Sequence, residues 1–128
     1  MCPHILVVED NCDSRKLITW LLEDEGMTYQ EVSTAEAGFD RLEQERFDLI
    51  LMDISLPGMD GREATLKLRK DPRFMAIPII AVTAHAVRGK YEEIVNSGVT
   101  ALVTKPIDET ILLGKIKEVL FQKEEVNG

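Results

Sequence analysis

The sequence predicts a doubly wound α/β fold in which five parallel strands alternate with five helices within a single domain. Three observations carry this prediction. Short apolar runs alternate with segments of helical period along the whole chain. The central runs are continuously apolar, as strands covered on both faces by helices must be. Four of the runs end in chemically loaded residues at their C-terminal end, the rim where open parallel sheets bind ligands.

In chain order, Ile5-Leu6-Val7-Val8 forms the first strand and runs into Glu9-Asp10. Leu17, Ile18, Leu21 and Leu22 recur at helical spacing, and Gly26 supplies a left-handed stop. Thr28–Ser33 is the second strand, with Tyr29 and Val32 but poor alternation. Ser33 with Glu36 three residues later reads as a capping box for a second helix, with Phe39 and Leu42 on its buried side. Leu49-Ile50-Leu51-Met52 leads into Asp53. Pro57-Gly58 and Asp60-Gly61 punctuate a loop before a weaker third helix around Glu63–Lys70, which Asp71-Pro72 ends. Ile79-Ile80-Ala81-Val82 leads into Thr83. Val87, Tyr91, Ile94 and Val95 form a fourth helical stripe, which assigns Tyr91 to the core, and Gly98 closes it. Ala101-Leu102-Val103-Thr104 leads into Lys105-Pro106. Asp108 is placed to cap a fifth helix carrying Ile111, Leu112, Ile116, Val119 and Leu120 along one face. The domain thus fills residues 1–128, with its core at about 4–121 and a polar tail, 122–128, expected to fray.

The bulk properties narrow the function. The chain has 128 residues, 45% apolar and 30% charged, an ordinary balance for one globular domain. A formal charge of −8 opposes direct nucleic-acid binding and suits a divalent cation or a basic partner surface. Glu23-Asp24-Glu25 reads as a solvated helix end. Cys2 and Cys12 fall at opposite ends of the first strand, too far apart to bridge, and have no companions for a zinc site. No apolar run approaches the ~18 residues of a membrane span. A soluble, cytoplasmic protein with reduced thiols is expected.

The strand ends define a candidate site. Glu9, Asp10 and Asp53 in one pocket would repel one another, which calls for a cation between them. Oxygen ligands suit Mg²⁺, with waters filling its remaining positions. Asp53 is the candidate nucleophile: a carboxylate is ionised at neutral pH and needs no general base to attack phosphorus, only positioning and charge screening. Lys105 would supply a second positive charge and the Thr83 hydroxyl a hydrogen bond to a phosphoryl oxygen. Ala84 leaves room for that group to enter. A cis bond between Lys105 and Pro106 would aim the lysine back into the crevice.

Val7-Val8-Glu9-Asp10-Asn11, Asp48 through Gly61, Pro78 through Ala84, and Lys105-Pro106-Ile107-Asp108 together closely resemble the receiver domain of two-component response regulators. The likeness runs from about His4 to Leu120 and is specific in combination. It implies a flavodoxin-like, CheY-like fold with strand order 2-1-3-4-5. It further implies that Asp53 accepts a phosphoryl group from a histidine kinase or a histidine phosphotransfer protein, or from a small donor such as acetyl phosphate. Glu9, Asp10, Asp53 and the backbone carbonyl of Ser55 would bind Mg²⁺ or Mn²⁺, while Thr83 and Lys105 grip the phosphoryl group. Such domains catalyse only their own phosphotransfer and dephosphorylation, the latter tuned here by Ser55 and His85. His85 either orients water at the site or is an exposed loop residue. His4, at the other rim, is uninvolved.

One departure matters. Many receivers carry an aromatic residue three positions before the lysine that swings inward on activation; this chain has Leu102. The signal is then expected to be read through the loop after the fourth strand and displacement of the fourth helix; Tyr91 is the substitute reporter on offer, although its apolar stripe favours the core role. Output would pass through protein contacts on the face made by helix four, strand five and helix five, whether the chain stands alone or is excised from a larger regulator. The rivals are a degenerate receiver acting as a docking module and, with less support, a Mg²⁺-dependent phosphatase with an aspartyl nucleophile. A flavodoxin relative is weaker still, for lack of a Ser/Thr/Gly-rich phosphate loop after the first strand.

Overall fold

The computed structural model describes residues 2–84 and 90–127, with side chains for 2–84 and 91–121. Among them the expected alternation is complete: β1 (His4–Val8), α1 (Cys12–Asp24), β2 (Thr28–Val32), α2 (Ala35–Gln44), β3 (Leu49–Asp53), α3 (Gly61–Lys70), β4 (Ile79–Thr83), α4 (Lys90–Asn96), β5 (Ala101–Thr104) and α5 (Glu109–Asn127). The five strands form one parallel sheet in the order β2-β1-β3-β4-β5. Winding reverses between β1 and β3, which places a crevice beyond their carboxyl ends.

Strand periodicity builds two cores. Ile5, Val7, Leu49, Leu51 and Ile80 point to one face and pack with Ile18, Leu21 and Leu22 of α1 and Leu112, Ile116 and Val119 of α5. Leu6, Val8, Ile50, Met52 and Ile79 point to the other and meet Ala35 and Leu42 of α2 and Ala64 and Leu68 of α3. Every residue of β3 and β4 is buried, whereas β2, at the sheet's edge, is only part-covered. That edge position explains the poor alternation of its sequence. His4 lies at the amino end of β1, stacked on Phe47 and bonded to Thr28 and Glu45.

Several local expectations need correction. The cap of α2 is Thr34, not Ser33: the Thr34 hydroxyl accepts the Ala37 N–H at 3.1 Å, so Glu36 falls one position short of a capping box. Helix α3 starts at Gly61, two residues early, because Asp60 caps it by accepting the Glu63 N–H at 2.8 Å. Asp108 caps α5 as expected, with the Ile111 N–H at 3.0 Å, yet the Ile111 side chain is 56% exposed. Tyr91 is 46% exposed rather than in the core, and Val95 is exposed beside it; α4 buries Ile94 instead. Val87 lies outside the described residues. The backbone of α5 is helical to Asn127. Both cysteines are free and exposed.

Candidate functional site

The sheet's hydrogen-bond ladders continue past the strand ends and fix the loaded residues in place. Glu9 donates its N–H to Val32 O at 3.0 Å, Ile54 to Val82 O at 3.0 Å, and Lys105 to Thr83 O at 2.8 Å. The residue before or after each bond is thereby held at the rim with little backbone freedom. Strand pairing sets Asp53 beside Val82 and Thr83 beside Thr104.

Glu9, Asp10 and Asp53 converge so that one carboxylate oxygen of each lies within 4.8 Å of the others. Glu9 is 1% and Asp53 2% exposed, while Asp10 faces solvent. Lys105 Nζ stands 2.9 Å from Glu9 Oε1 and 3.5 Å from Asp53 Oδ2. The Lys105–Pro106 peptide bond is cis. Thr83 is buried at the end of β4, and Ala84 after it is exposed. The N–H of Ser55 donates to Asp53 Oδ1 at 3.0 Å, which orients the carboxylate. The rim residues expected to meet in one crevice do so for Glu9, Asp10, Asp53 and Lys105, with Thr83 on the neighbouring strand end. His85 lies outside the described residues.

Burial comes first in raising the Asp53 pKa above the usual carboxylate value, and neighbouring Glu9 adds to it; the Ser55 N–H and Lys105 pull the other way. For Lys105, burial works against the charge, but Glu9 and Asp53 outweigh it and hold the pKa above that of an ordinary lysine. The pocket is therefore short of positive charge. Glu9 Oε1 makes that concrete: it is buried, and its close partner among the described residues is the Lys105 ammonium at 2.9 Å. A buried carboxylate oxygen in that condition, beside two further carboxylates, suits a hard divalent cation held by oxygen.

Two supporting residues were not singled out from sequence. Arg15 Nη1 donates to the Glu9 carbonyl at 3.0 Å and braces the acid pair from α1. Gly61 matters more: a Cβ built there would lie 2.2 Å from the Asp53 carbonyl oxygen. The first turn of α3 thus rests directly on the backbone of the central aspartate, and the Gly61 N–H bonds Ile54 O at 3.1 Å. The Asp60-Gly61 pair reads as a turn in the sequence, and nothing local distinguishes a turn glycine from one forced by close packing.

Comparison with known proteins agrees with this geometry. The response regulator receiver domain family matches residues 5–117. The sensor protein GacS of Pseudomonas syringae pv. syringae is 40% identical over 110 residues, which cover 84% of this chain but 12% of that protein. The chain thus spans only a small part of the sensor kinases it matches. The polar-differentiation response regulator DivK of Brucella anthropi is 39% identical over 122 residues, 94% of this chain and 98% of DivK. Among solved structures, the receiver domain of a sensor histidine kinase from Pseudomonas aeruginosa PAO1, with a magnesium ion coordinated in its active-site cleft, superposes with a TM-score of 0.85 at 31% identity, covering 92% of this chain and 97% of that one. A CheY-like receiver domain protein from Methanospirillum hungatei gives 0.89 at 34% identity, covering 98% of each chain.

Proposed function

The chain belongs to the response regulator receiver domain family of two-component signalling, and from that premise we propose that Asp53 is phosphorylated in a Mg²⁺-dependent reaction that switches protein contacts. The supporting observation is the convergence of Asp53 with Glu9, Asp10 and Lys105 in a crevice short of positive charge. A carboxylate oxygen of Asp53 forms a bond to phosphorus as the donor's phosphorus–nitrogen bond breaks, and the donor imidazole leaves as the neutral base after taking up a proton. With acetyl phosphate the leaving group is acetate. Buried and oriented by Ser55, Asp53 loses little freedom in reaching that geometry.

Bound at Glu9, Asp10, Asp53 and the Ser55 carbonyl, Mg²⁺ would screen the attacking and incoming negative charges. Lys105 balances charge on the phosphoryl oxygens, and the Thr83 hydroxyl donates to one of them. The donor is a histidine kinase or a histidine phosphotransfer protein, and the reaction is cytoplasmic. Among the described residues no helix is long and apolar enough to cross a membrane. The chain is a switch rather than an enzyme with an external substrate: it catalyses its own phosphotransfer and hydrolysis. Without an aromatic at Leu102, the state of Thr83 reaches the surface through displacement of α4, and a target docks on the α4–β5–α5 face, where Tyr91, Val95 and Ile111 are exposed. Moving a population from 1:99 to 99:1 takes about 5.5 kcal/mol of differential stabilisation, within reach of a dianion clasped by several charges.

The test is incubation with Mg²⁺ and acetyl phosphate, followed by intact-mass measurement. A base-labile adduct of one phosphoryl group, absent in Asp53→Asn, is expected. Failure of every donor, kinase included, favours a docking module; turnover of a phosphoester without an adduct favours a hydrolase.

A further inference from the structure

At the rim opposite the acidic crevice, Arg69 in the last turn of α3 reaches across to the end of α4. Its Nε donates to Gly98 O at 2.8 Å, and Nη1 is shared among Ile77 O at 2.7 Å, Phe74 O at 3.2 Å and Met75 O at 3.2 Å. One guanidinium therefore ties the α3–β4 loop to the turn that closes α4. The fit extends to the stem: Gly98 has φ +107°, and a Cβ there would lie 2.7 Å from Arg69 Cγ. A second fastening lies two residues on. Thr100 donates its N–H to Ile79 O at 2.7 Å, and its hydroxyl accepts the Ile79 N–H at 3.1 Å. Within α4 itself, Ser97 is buried and its hydroxyl donates to Ile94 O at 2.5 Å.

The carboxyl end of α4 is thus pinned to α3 and β4 at the far rim. Its amino end follows the segment after Thr83, where the phosphoryl group would be sensed. We infer that Arg69 is the fulcrum of the switch: a positioning residue that holds the Ser97–Thr100 turn still, so that a shift at the phosphorylated rim tilts α4. This rests on the phosphorylation proposed for Asp53. A charged, forked donor suits the task, because it bonds carbonyls in two directions at once and such bonds are stronger than neutral ones. Lysine carries its three donors on one compact nitrogen and cannot span both segments. Across the described part of α4, Lys90–Asn96, about 10 Å, motion at the amino end against a fixed carboxyl end turns the exposed Tyr91 and Val95 while Ile94 keeps its buried place.

Amide hydrogen exchange on the full chain tests this, comparing wild type, Arg69→Met and Arg69→Lys with Mg²⁺, before and after acetyl phosphate. Before the donor, both variants should exchange about tenfold faster than wild type at Gly98–Thr100, the equivalent of one lost charge-assisted bond. After the donor, wild type should change at Tyr91–Val95 and not at Gly98–Thr100, while in the variants the change spreads through Gly98–Thr100 at equal adduct levels. A merely structural arginine would alter the first result and not the second. Unaltered exchange at Gly98–Thr100 in both variants overturns the inference, as does a wild-type response that moves Gly98–Thr100 as much as Tyr91. If wild type forms no adduct, the phosphorylation of Asp53 fails while the first comparison still decides whether Arg69 pins the turn. Arg69→Lys retains charge and stem, so it carries both arms if Arg69→Met does not fold.

Discussion

Replacing Gly61 by alanine should damage stability and chemistry together, and the size of the effect follows from one distance. The added Cβ would sit 2.2 Å from Asp53 O, 2.9 Å from Asp53 C and 2.9 Å from Ile54 Cα. Ordinary carbon–oxygen contacts lie near ~3.4 Å, so α3 and the end of β3 must separate by about 1 Å. None of the three contacts is a side chain that can rotate away. Overpacking of this kind costs about 1–3 kcal/mol. The Gly61 N–H to Ile54 O bond, now 3.1 Å, would stretch beyond bonding range for about 1 kcal/mol more. Lower entropy of the unfolded chain returns about 0.4–1 kcal/mol. A net loss of about 1–3.5 kcal/mol remains, or about 4–13 °C in melting temperature for a domain of this size. Because the displaced backbone carries Asp53, phosphorylation by acetyl phosphate should slow by up to about 10²-fold.

Gly114→Ala is the matched control. Nothing lies within 4 Å of a Cβ there, on the exposed face of α5, so it should gain about 0.5–1 kcal/mol. Thermal melts of the two variants and their adduct formation rates in Mg²⁺ provide the comparison. Gly61→Ala melting within two or three degrees of wild type and reacting at the wild-type rate would refute the close approach of α3 to Asp53. Equal losses in both variants would show that the effect is generic to glycine replacement.

Asp53→Asn should abolish the adduct and, in chelator, raise stability by about 1 kcal/mol, because it removes one of the crowded carboxylates; Mg²⁺ should then stabilise the variant less than wild type, read from melting temperatures with and without the ion. Lys105→Ala should still accept a phosphoryl group yet lose the phosphorylation-dependent change in α4 exchange, and in chelator it should be less stable by up to about 3 kcal/mol, since Glu9 and Asp53 lose their shared cation. Leu112→Ala, fully buried on the inner face of α5, should cost about 2–5 kcal/mol in urea unfolding, while Tyr91→Ala should cost under about 0.5 kcal/mol; a large loss at Tyr91 would return it to the core.

The rim was legible because a parallel strand has only one way to end near the ligand. An apolar run fixes where the strand stops, and the next residue must then stand at the crevice, as Glu9, Asp53, Thr83 and Lys105 do. Helix faces were less legible. Tyr91 and Val95 on α4 and Ile111 on α5 sit at helical spacing with residues that are buried, but a helix lying on a sheet covers only a narrow stripe. Period alone does not say which of two adjacent stripes turns inward. Ser33 and Thr34 can each cap a helix, and the choice depends on where β2 lets go of β1 at Val32. Gly61 and Arg69 were hidden for a different reason: their roles are contacts with chain segments distant in sequence, which no local pattern encodes.

Charge decides how these parts work as a switch. Three carboxylates against one ammonium leave two formal negative charges in the crevice, and Lys105 spends its contacts on Glu9 and Asp53. A divalent cation at the three acids would cancel that excess and leave the lysine free for another partner. In the proposed reaction, the phosphoryl group then turns Asp53 from a monoanion into a dianion, and Lys105 gains its reason to leave Glu9 only at that moment. The backbone of Lys105 is already bonded to Thr83 O at 2.8 Å, so its re-aiming is felt on the same ladder that carries the threonine. In that proposed reaction, lysine and threonine would report one event to the segment that leads into α4. Neutral replacement of Lys105 should leave the chemistry and silence the report, which is why those two properties are expected to separate.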